Sequence, residues 1–223
     1  MCICAVCLCV LSICLCLSIC LSVYLCARQV YLIIADVLSL WGMTMEQLDF
    51  TDHAAVLTRL QALASSSSSS SVLGGRQLVV WLETPSNPQC KVTDIQHISH
   101  MARDLFPLPS QLVVIVDSTW ATPYLLNPLL LGADFVMHSV TKYIGGHSDV
   151  LGGIVTASCA AVQSADQKER EGKEEGGESK GCVLSRLRSI QRVGGGVCGP
   201  LEAWLAARGL RTLPVRLTHQ CQR

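Results

Sequence analysis

The sequence of 223 residues lacks a net charge, because its 17 lysines and arginines are balanced by 17 aspartates and glutamates. Proteins that attract nucleic acid or an acidic membrane surface carry an excess of basic residues. We therefore expect neither nucleic acid nor an acidic membrane as a partner. Charged residues are also scarce, at 15%, whereas half of the residues are hydrophobic, which is ample for the core of one large domain.

A metal-binding constellation is lacking as well. His97 and His100 lie three positions apart in a predicted helix, but no carboxylate or cysteine is spaced to complete a site with them. The pair in Cys4-Ala-Val-Cys7 has no accompanying histidine and no second well-spaced cysteine pair. We predict no metal site, and exposed positions for both histidines.

Cysteine is abundant but unevenly distributed. Most of the 13 cysteines lie between Cys2 and Cys26, and the others are scattered singly along the chain. Single scattered cysteines in a chain with the composition of an enzyme are typical of a reduced, intracellular protein. We expect a cytoplasmic location.

The Cys/Leu-rich segment 1–28 carries no charge before Arg28, so it lacks the basic start of a secretory signal peptide. Three interpretations stay open: translated non-coding sequence, a membrane or targeting segment of spanning length, and a buried helix. We predict a boundary after residue 28, with one domain over residues 29–223. A membrane is expected as a partner only if residues 1–26 are a genuine membrane segment.

Two stretches inside the predicted domain have the composition of flexible insertions. The first is a run of serines, Ser65–Ser71, with no Gly-Lys pattern after it that would indicate a phosphate-binding loop. The second is Asp166–Lys180, which is charged and glycine-rich, and such charge runs are usually solvated. We predict disordered insertions near residues 65–71 and 165–181.

Apolar runs in the remaining sequence indicate an α/β fold. The run Leu112–Val116 is apolar and rich in β-branched residues, as in a strand buried on both faces of a parallel sheet. We predict strands near 77–82, 112–116, 134–138 and 150–156, a short strand within 44–50, and helices over 31–43, 52–64, 93–105, 183–192 and 200–208. The expected apolar stripe of the helix over 52–64 is Ala55, Leu57, Leu60 and Leu63. The expected architecture is a mostly parallel sheet with helices on both faces.

Polar residues follow two of the predicted strands. Asp117 ends the strand over 112–116, and Ser139, Thr141 and Lys142 follow the next one. A lysine amine forms Schiff bases with carbonyl groups, a buried carboxylate can hold a pyridinium nitrogen protonated, and hydroxyls beside a lysine can bind a phosphate. Pyridoxal phosphate (PLP) carries the aldehyde, the pyridine nitrogen and the phosphate that such a set would bind.

Longer motifs support this cofactor. The stretches Asp117-Ser-Thr-Trp-Ala-Thr-Pro-Tyr124, Leu131-Gly-Ala-Asp134 and His138-Ser-Val-Thr-Lys-Tyr-Ile-Gly-Gly-His-Ser-Asp149 resemble the Cys/Met metabolism, or trans-sulfuration, family of PLP-dependent enzymes. The resemblance covers residues 31–223 and implies the large domain of an aspartate-aminotransferase-like PLP-dependent transferase. That domain is expected to be incomplete, because the match amounts to the central part of a full enzyme.

The resemblance implies six residues at the cofactor: Asn87, Asp117, Thr119, Ser139, Thr141 and Lys142. By this resemblance Lys142 is the Schiff-base lysine and later a general base, Asp117 pairs with the pyridinium nitrogen, and Thr119 lies against the ring. The residues alone leave another interpretation open, in which Lys142 is an ordinary surface lysine and Asp117 belongs to a turn at the strand end.

The remaining three positions also have two interpretations. The resemblance assigns Ser139 and Thr141 to the phosphate, and it puts Asn87 beside the phenolic oxygen of the cofactor, with Glu83 as support. The residues alone allow the two hydroxyls to be local backbone caps, and they allow Asn87 to belong to an ordinary Asn-Pro turn.

The implied function is PLP-dependent β- or γ-elimination or replacement on a small sulfur amino acid or homoserine ester, in a homo-oligomer built as a dimer of dimers. The cystathionine γ-synthase or γ-lyase type is expected, and the choice among γ-synthase, γ-lyase and β-lyase stays open. Four family features have no counterpart here: the Gly-Met or Gly-Leu phosphate-binding helix start, the Tyr-x-Arg pair, the Tyr-Gly-Gly-Thr stacking motif and the arginine for the substrate carboxylate. The alternative is a catalytically incompetent fragment or pseudoenzyme of this family.

Overall fold

The computed structural model describes residues 20–24, 44–65, 77–108, 111–159 and 183–222, which form an α/β fold with one sheet. Its strands are β1 (Cys20–Tyr24), β2 (Met45–Glu46), β3 (Gln77–Glu83), β4 (Leu112–Asp117), β5 (Phe135–Ser139) and β6 (Gly153–Ala157). The strand order is β2-β1-β3-β4-β5-β6, and all neighbours are parallel except β5 and β6. The predicted α/β fold with a mostly parallel sheet is confirmed.

Helices connect and flank these strands. They are α1 (His53–Ser65), α2 (Ile95–Leu105), α3 (Thr122–Leu125), α4 (Val183–Gly194), α5 (Pro200–Arg211) and α6 (Leu213–Cys221). A 3-10 turn, Pro128–Leu131, precedes β5, and a π turn, Val140–Ile144, follows it. Helix α6 lies beyond the helices predicted from the sequence. The predicted helix over 31–43 falls outside the described residues, as do both predicted insertions apart from Ser65, which ends α1.

Three long strands lie within a residue or two of their predicted positions, and β4 is buried along its whole length, as its apolar sequence requires. Two strands are shorter than predicted. The strand within 44–50 is limited to Met45–Glu46, and β6 begins at Gly153 instead of Val150. The late start of β6 has a local cause: the carbonyl of Gly152 accepts the N–H of Val140, so this residue closes the turn after β5.

Cys20–Tyr24 departs from the predicted boundary after residue 28. The backbone of these residues forms β1, between β2 and β3, with Val23 opposite Met45 and Val79. They therefore belong to the sheet and not to a segment separate from the domain, because pairing on both sides satisfies their backbone hydrogen bonds. The rest of segment 1–28 lies outside the described residues. Among the helices that the structure describes, none is long and apolar enough to cross a membrane.

One face of the sheet packs against α1. This helix begins after Asp52, whose Oδ1 accepts the N–H of Ala55 at 3.0 Å. It buries Val56, Leu60 and Leu63 in the core. The predicted stripe is partly wrong, because Ala55 is exposed. Residues four apart lie on the same helix face, so Val56 is buried together with Leu60. Ala55 is therefore exposed to solvent.

Helix α2 packs on the same face. Asp94 caps its first turn by accepting the N–H of His97 at 2.9 Å, and Ile95 and Ile98 are buried against the sheet. His97 and His100 are both exposed, as predicted. In the described ranges, no group of three or more His, Cys, Asp or Glu side chains is placed to hold a metal ion.

Asp134 fixes the start of β5 beside β4. Its backbone N–H donates to the carbonyl of Val114 at 2.9 Å, and its Oδ2 accepts the N–H of Val114 at 2.8 Å. Arg103 of α2 forms an ion pair with the same carboxylate at 2.8 Å. These contacts set the register of β5, so the residues after this strand emerge next to the end of β4.

Candidate active site

The candidate active site lies where β3, β4 and β5 end. Side chains alternate between the faces of a sheet, so Leu82 and Val116 join the core beside α1 and α2, whereas Glu83 and Asp117 lie on the opposite face. Glu83 and Asp117 are direct partners in the register of β3 and β4. Ser139 ends β5 on the neighbouring strand. Carboxyl ends of parallel strands are where open α/β sheets bind ligands.

Asp117 is a buried carboxylate held by a turn of its own chain. Its Oδ1 accepts the backbone N–H of Thr119 at 3.0 Å and the hydroxyl of the same residue at 2.6 Å. Burial raises the pKa of Asp117, and the two hydrogen bonds from Thr119 oppose that rise. The carboxylate is therefore rigidly placed, and a positively charged partner would relieve the cost of burying it.

Thr119 links the ends of two strands. Its hydroxyl donates to Asp117 and accepts the backbone N–H of Ser139 at 2.8 Å. The contact of Thr119 with the cofactor ring stays a prediction. The hydroxyl has a further function that the sequence did not indicate, because it ties the carboxylate on β4 to the last residue of β5.

The phosphate-binding prediction concerns Ser139 and Thr141. The hydroxyl of Ser139 is buried and has no hydrogen-bond partner among the described residues. An unpaired buried hydroxyl costs about 1–3 kcal/mol, so an oxygen-rich ligand at this position would be stabilised. The hydroxyl of Thr141 instead accepts the N–H of Gly152 at 3.0 Å and donates to its carbonyl at 3.4 Å. The second bond is long, and the proton on Thr141 is held only weakly.

Lys142 lies inside the π turn after β5. Its backbone dihedral angles, φ −89° and ψ −119°, are not helical, and its side chain is exposed. No hydrogen bond or ion pair involves its side chain within the described part of the chain. The turn itself is closed by backbone bonds, from Gly145 to Val140 at 2.7 Å and from Gly146 to the carbonyl of Lys142 at 2.8 Å.

Asn87 lies in the loop after β3. Its side chain is exposed, and its backbone N–H is near enough to the Glu83 carboxyl group to oppose the rise in the pKa of that group. The loop also returns to the sheet through Ser86, whose hydroxyl accepts the N–H of Lys91 at 3.0 Å. Asn87 therefore lies close to a carboxyl group at the end of β3, in a loop that the Ser86–Lys91 hydrogen bond holds.

Glu83 is the residue whose importance the sequence understates. Burial, and next the charge of Asp117, raise the pKa of Glu83 to about 7, while the N–H of Asn87 opposes the rise. Its Oε2 is buried without a hydrogen-bond partner among the described residues. The sequence contains a partial signal, because two predicted strands end in the carboxylate residues Glu83 and Asp117, which would lie side by side if the strands were adjacent and parallel. Only the strand register, which the sequence does not give, makes them partners.

His138 supports the turn that carries Asp117. It is buried, and its Nδ1 lies 3.1 Å from the carbonyl of Ser118. Because a carbonyl only accepts, Nδ1 carries the proton in this contact. Burial lowers the pKa of His138. The imidazole is therefore a neutral structural group on β5 and adds no positive charge beside Asp117.

These residues fit PLP in the groups that the structure describes. A buried carboxylate suits a protonated pyridine nitrogen, and the buried, unpaired hydroxyl of Ser139 suits a phosphate oxygen. Lys142 follows on the same strand end with an exposed amine. The fold and this set of side chains are together those of a PLP-binding α/β domain.

The chain belongs to a family with the same chemistry. The family described as "Cys/Met metabolism PLP-dependent enzyme" matches residues 25–223. Among curated relatives, the chain is 40% identical over 139 residues to a probable cystathionine gamma-synthase of Herpetosiphon aurantiacus, covering 62% of this chain and 35% of that protein. It is 42% identical over 139 residues to a cystathionine gamma-lyase of Bacillus subtilis, covering 62% of this chain and 30% of the relative.

Solved structures of the same kind share the fold. A cystathionine gamma-lyase from Micromonospora echinospora superposes with a TM-score of 0.68 at 26% identity, over 93% of this chain and 46% of that one. The cystathionine gamma-lyase from Lactobacillus plantarum, solved with L-serine, gives 0.64 at 30% identity, over 88% of this chain and 42% of that one. The chain spans about a third of the length of the curated relatives and less than half of these structures.

Proposed function

We propose that this chain is the PLP-binding core of an enzyme that acts on a small sulfur amino acid or homoserine ester. Membership of the family supports the cofactor and the class of chemistry. The observation that carries the assignment of residues is the link from Asp117 through the Thr119 hydroxyl to the N–H of Ser139. It holds one carboxylate and one unpaired buried hydroxyl at the same edge of the sheet.

Each of the proposed residues has a separate task. Asp117 holds a proton on the pyridine nitrogen, and its burial strengthens that ion pair because water is excluded. Ser139 donates its free hydroxyl to a phosphate oxygen, and Thr141 adds its weakly held proton. Thr119 keeps Asp117 in place and lies beside the ring. Asn87 donates its side-chain amide to the phenolic oxygen.

Lys142 is the proposed catalytic residue. Its amine would hold the cofactor covalently through the cofactor aldehyde, with loss of one water. Once free of the cofactor, the same amine would accept a proton from one substrate carbon and return it to another as a general base. The bound cofactor supplies a sink for the electrons that the departing proton leaves behind. The cystathionine γ-synthase and γ-lyase types are both consistent with these tasks, and the β-lyase type is as well.

The decisive experiment asks whether Lys142 forms the covalent bond. Purified protein is incubated with PLP, reduced with borohydride, digested and analysed by mass spectrometry. We expect the phosphopyridoxyl mass on the peptide that contains Lys142. Lys142→Ala should abolish this modification, and Lys142→Arg, which keeps the positive charge but cannot condense, should abolish it too. Modification of other lysines alone, or none at any PLP concentration, contradicts the proposal.

Turnover distinguishes the two functional hypotheses. The PLP-loaded chain is given cystathionine, and cleavage at the β-carbon is measured separately from cleavage at the γ-carbon. Cleavage at either carbon supports an active enzyme and selects its type. A covalent bond at Lys142 without turnover supports the alternative of a catalytically incompetent fragment or pseudoenzyme.

The location and assembly of the chain remain predictions. Four described cysteines, Cys90, Cys159, Cys198 and Cys221, are free and exposed, which agrees with the predicted cytoplasmic location, where thiols stay reduced. Exposed apolar side chains on α5 and α6, among them Trp204 and Val215, agree with the predicted self-association. Sedimentation of the PLP-loaded chain at several concentrations measures that association.

A further inference from the structure

Arg216 of α6 binds the backbone of the turn that carries Lys142. Its Nη1 donates to the carbonyl of Tyr143 at 2.7 Å, and its Nη2 lies 3.4 Å from the carbonyl of Ile144. The same Nη2 donates to the carbonyl of Gly209 at 2.8 Å. One guanidinium thus joins the end of the π turn to the end of α5.

Two further sets of contacts hold the guanidinium and the helix that carries it. Its Nε donates to the hydroxyl of Thr212 at 3.0 Å, at the junction of α5 and α6. Leu213 and Leu217, which flank Arg216 on α6, are buried against Val140 and Ile144 of the π turn. The arginine is therefore held on both sides, and its planar fork reaches the carbonyls in a defined direction.

Two of the carbonyls that Arg216 binds, those of Tyr143 and Ile144, have no other donor among the described residues. A short helical turn leaves its last carbonyl groups without intrahelical donors, and these groups carry partial negative charge. Tyr143 and Ile144 are the last two residues of the turn. A cation that donates to them stabilises the turn in this conformation, and Tyr143 is the residue that directly follows Lys142.

The packing around the turn leaves no room for a side chain at Gly209 or at Gly146. A Cβ atom on Gly209 would lie 2.4 Å from the carbonyl oxygens of Ile144 and Gly145. A Cβ atom on Gly146, where φ is +72°, would lie 2.4 Å from Nη1 of Arg216. Glycine at both positions permits α5 and the guanidinium to approach the turn closely.

We propose that Arg216 is a positioning residue for Lys142: it fixes the turn backbone so that the amine stays at the end of β5 beside Ser139. This inference rests on the proposed function, in which Lys142 bonds to the cofactor. The Lys142 side chain has four rotatable bonds and no described partner, so only its backbone limits where the amine can be. Arg216 acts through that backbone and not through contact with the cofactor.

Arg208 provides a contrast on the same side of the turn. It forms an ion pair with Asp149 and lies 5.5 Å from the centroid of the Trp204 ring. This pair joins α5 to the loop beyond Gly146 and does not reach the residues next to Lys142. Loss of Arg208 should therefore loosen the docking of α5 without moving the lysine.

The first experiment needs no cofactor. Amide hydrogen exchange is measured in the full chain for wild type, Arg216→Met, Arg216→Lys and the control Arg211→Met, which removes an exposed charge from α5. We expect Arg216→Met to accelerate exchange at Gly145 and Gly146 at least about tenfold, with exchange in α1 unchanged. Arg216→Lys should fall between, since an ammonium cannot bind two carbonyls as a fork. Unchanged exchange at both glycines overturns the proposal.

The second experiment measures the consequence for Lys142. The rate of PLP attachment to Lys142 is followed by absorbance and confirmed by reduction and peptide mapping, at a temperature where circular dichroism shows every variant folded. We expect about tenfold to hundredfold slower attachment in Arg216→Met, and wild-type rates in Arg211→Met and Arg208→Met. A lower melting temperature with an unchanged rate of attachment means a purely structural role and overturns the proposal.

Two situations need separate treatment. If wild type attaches no PLP at Lys142, the proposed function fails, and the exchange data alone decide whether Arg216 holds the turn. If Arg216→Met does not fold, Gly146→Ala replaces it, since the added Cβ displaces the guanidinium while its charge remains. Exchange and attachment in Gly146→Ala that match wild type then count against the proposal.

Discussion

The candidate site has two halves that are held in different ways. The buried half comprises Asp117, Thr119 and Ser139, which hydrogen bonds of 2.6, 2.8 and 3.0 Å join into one unit. The exposed half comprises Asn87 and Lys142, whose side chains are exposed and form no described hydrogen bond or ion pair. Both halves follow the carboxyl ends of neighbouring parallel strands.

The difference shows how one sheet edge provides two kinds of group. In the buried half the side chains are positioned directly, so they are preorganised before any ligand arrives. In the exposed half only the backbone is positioned, through the Ser86–Lys91 hydrogen bond for the loop of Asn87 and through Arg216 for the turn of Lys142. A change in the buried half should therefore lower folding stability and PLP binding together. A change in the exposed half should lower binding alone.

Thr119→Val tests the buried half and should have the largest effect on stability. The substitution keeps the shape of the side chain but removes the hydroxyl, which leaves the N–H of Ser139 without its acceptor and Asp117 with one bond fewer. We expect the free energy of unfolding to fall by about 1–3 kcal/mol. The affinity for PLP should fall about tenfold, since about 1.4 kcal/mol corresponds to that factor. Urea denaturation and PLP titration measure the two quantities.

The control for this substitution is Thr119→Ser. Serine keeps the hydroxyl and loses only a methyl group, so both quantities should return most of the way to wild type. Equal losses in the serine and valine variants would mean that packing, and not the bridging hydroxyl, holds the two strand ends together.

Glu83→Gln probes the junction of the two halves, because Glu83 is the register partner of Asp117 and ends the strand that leads into the Asn87 loop. Burial and the charge of Asp117 raise its pKa from 4.5 to about 7 in the folded protein. The folded state therefore binds more protons than the unfolded state between pH 4.5 and pH 7. The stability that the folded protein gains from proton binding at Glu83 is fully present below pH 4.5 and is lost as pH rises through 7. We expect the free energy of unfolding of Glu83→Gln relative to wild type to increase by about 1–2 kcal/mol from pH 4.5 to pH 8, after discounting for partial exposure.

The difference between variant and wild type isolates this group. The pKa of Asp117 is raised and that of His138 is lowered, so both also make stability depend on pH, with opposite signs. Subtraction removes the contribution of His138, and it leaves that of Asp117 only as its interaction with Glu83, which is the quantity of interest; Asp104→Asn, at an exposed position on α2, serves as the control. A flat difference from pH 4.5 to 8 would mean that Glu83 is ionised throughout and that the two carboxylates do not repel each other.

Much of the sheet could be predicted because its sequence signals are local. The β-branched run in β4 and the polar residue after it are visible without any tertiary contact. Burial of Val56 in place of Ala55 could not be predicted, because both fit an amphipathic pattern and only the packing of α1 on the sheet selects between them. The place of Cys20–Tyr24 in the sheet could not be predicted for a similar reason. A Cys/Leu run is equally apolar in a strand, a helix or a membrane segment, so the sequence does not select among them.

The candidate site also contains residues that the sequence indicates and residues that only the fold identifies. Motifs point to Asp117, Ser139 and Lys142, because their residue types match PLP chemistry directly. Glu83 and Arg216 gain their importance from strand register and from a helix that lies 74 positions after Lys142 (216 minus 142), so no spacing in the sequence reports them. Groups proposed to act on the cofactor are suggested by residue type, whereas the groups proposed to position them are visible only in the fold.

Asn87→Ala tests the exposed half and should have the smallest effect on stability. Its side chain is exposed, and its influence on the pKa of Glu83 comes from its backbone N–H, which alanine retains. We expect the free energy of unfolding to stay within about 0.5 kcal/mol of wild type, as for most surface substitutions. The affinity for PLP should nevertheless fall about tenfold, because a hydrogen bond to a charged oxygen contributes about 1.5–3 kcal/mol. Gln89→Ala, an exposed change in the same loop, should alter neither quantity. If Asn87→Ala destabilised the apo protein as strongly as Thr119→Val, its side chain would be part of the structural unit, and the distinction between directly held and backbone-held groups would not stand.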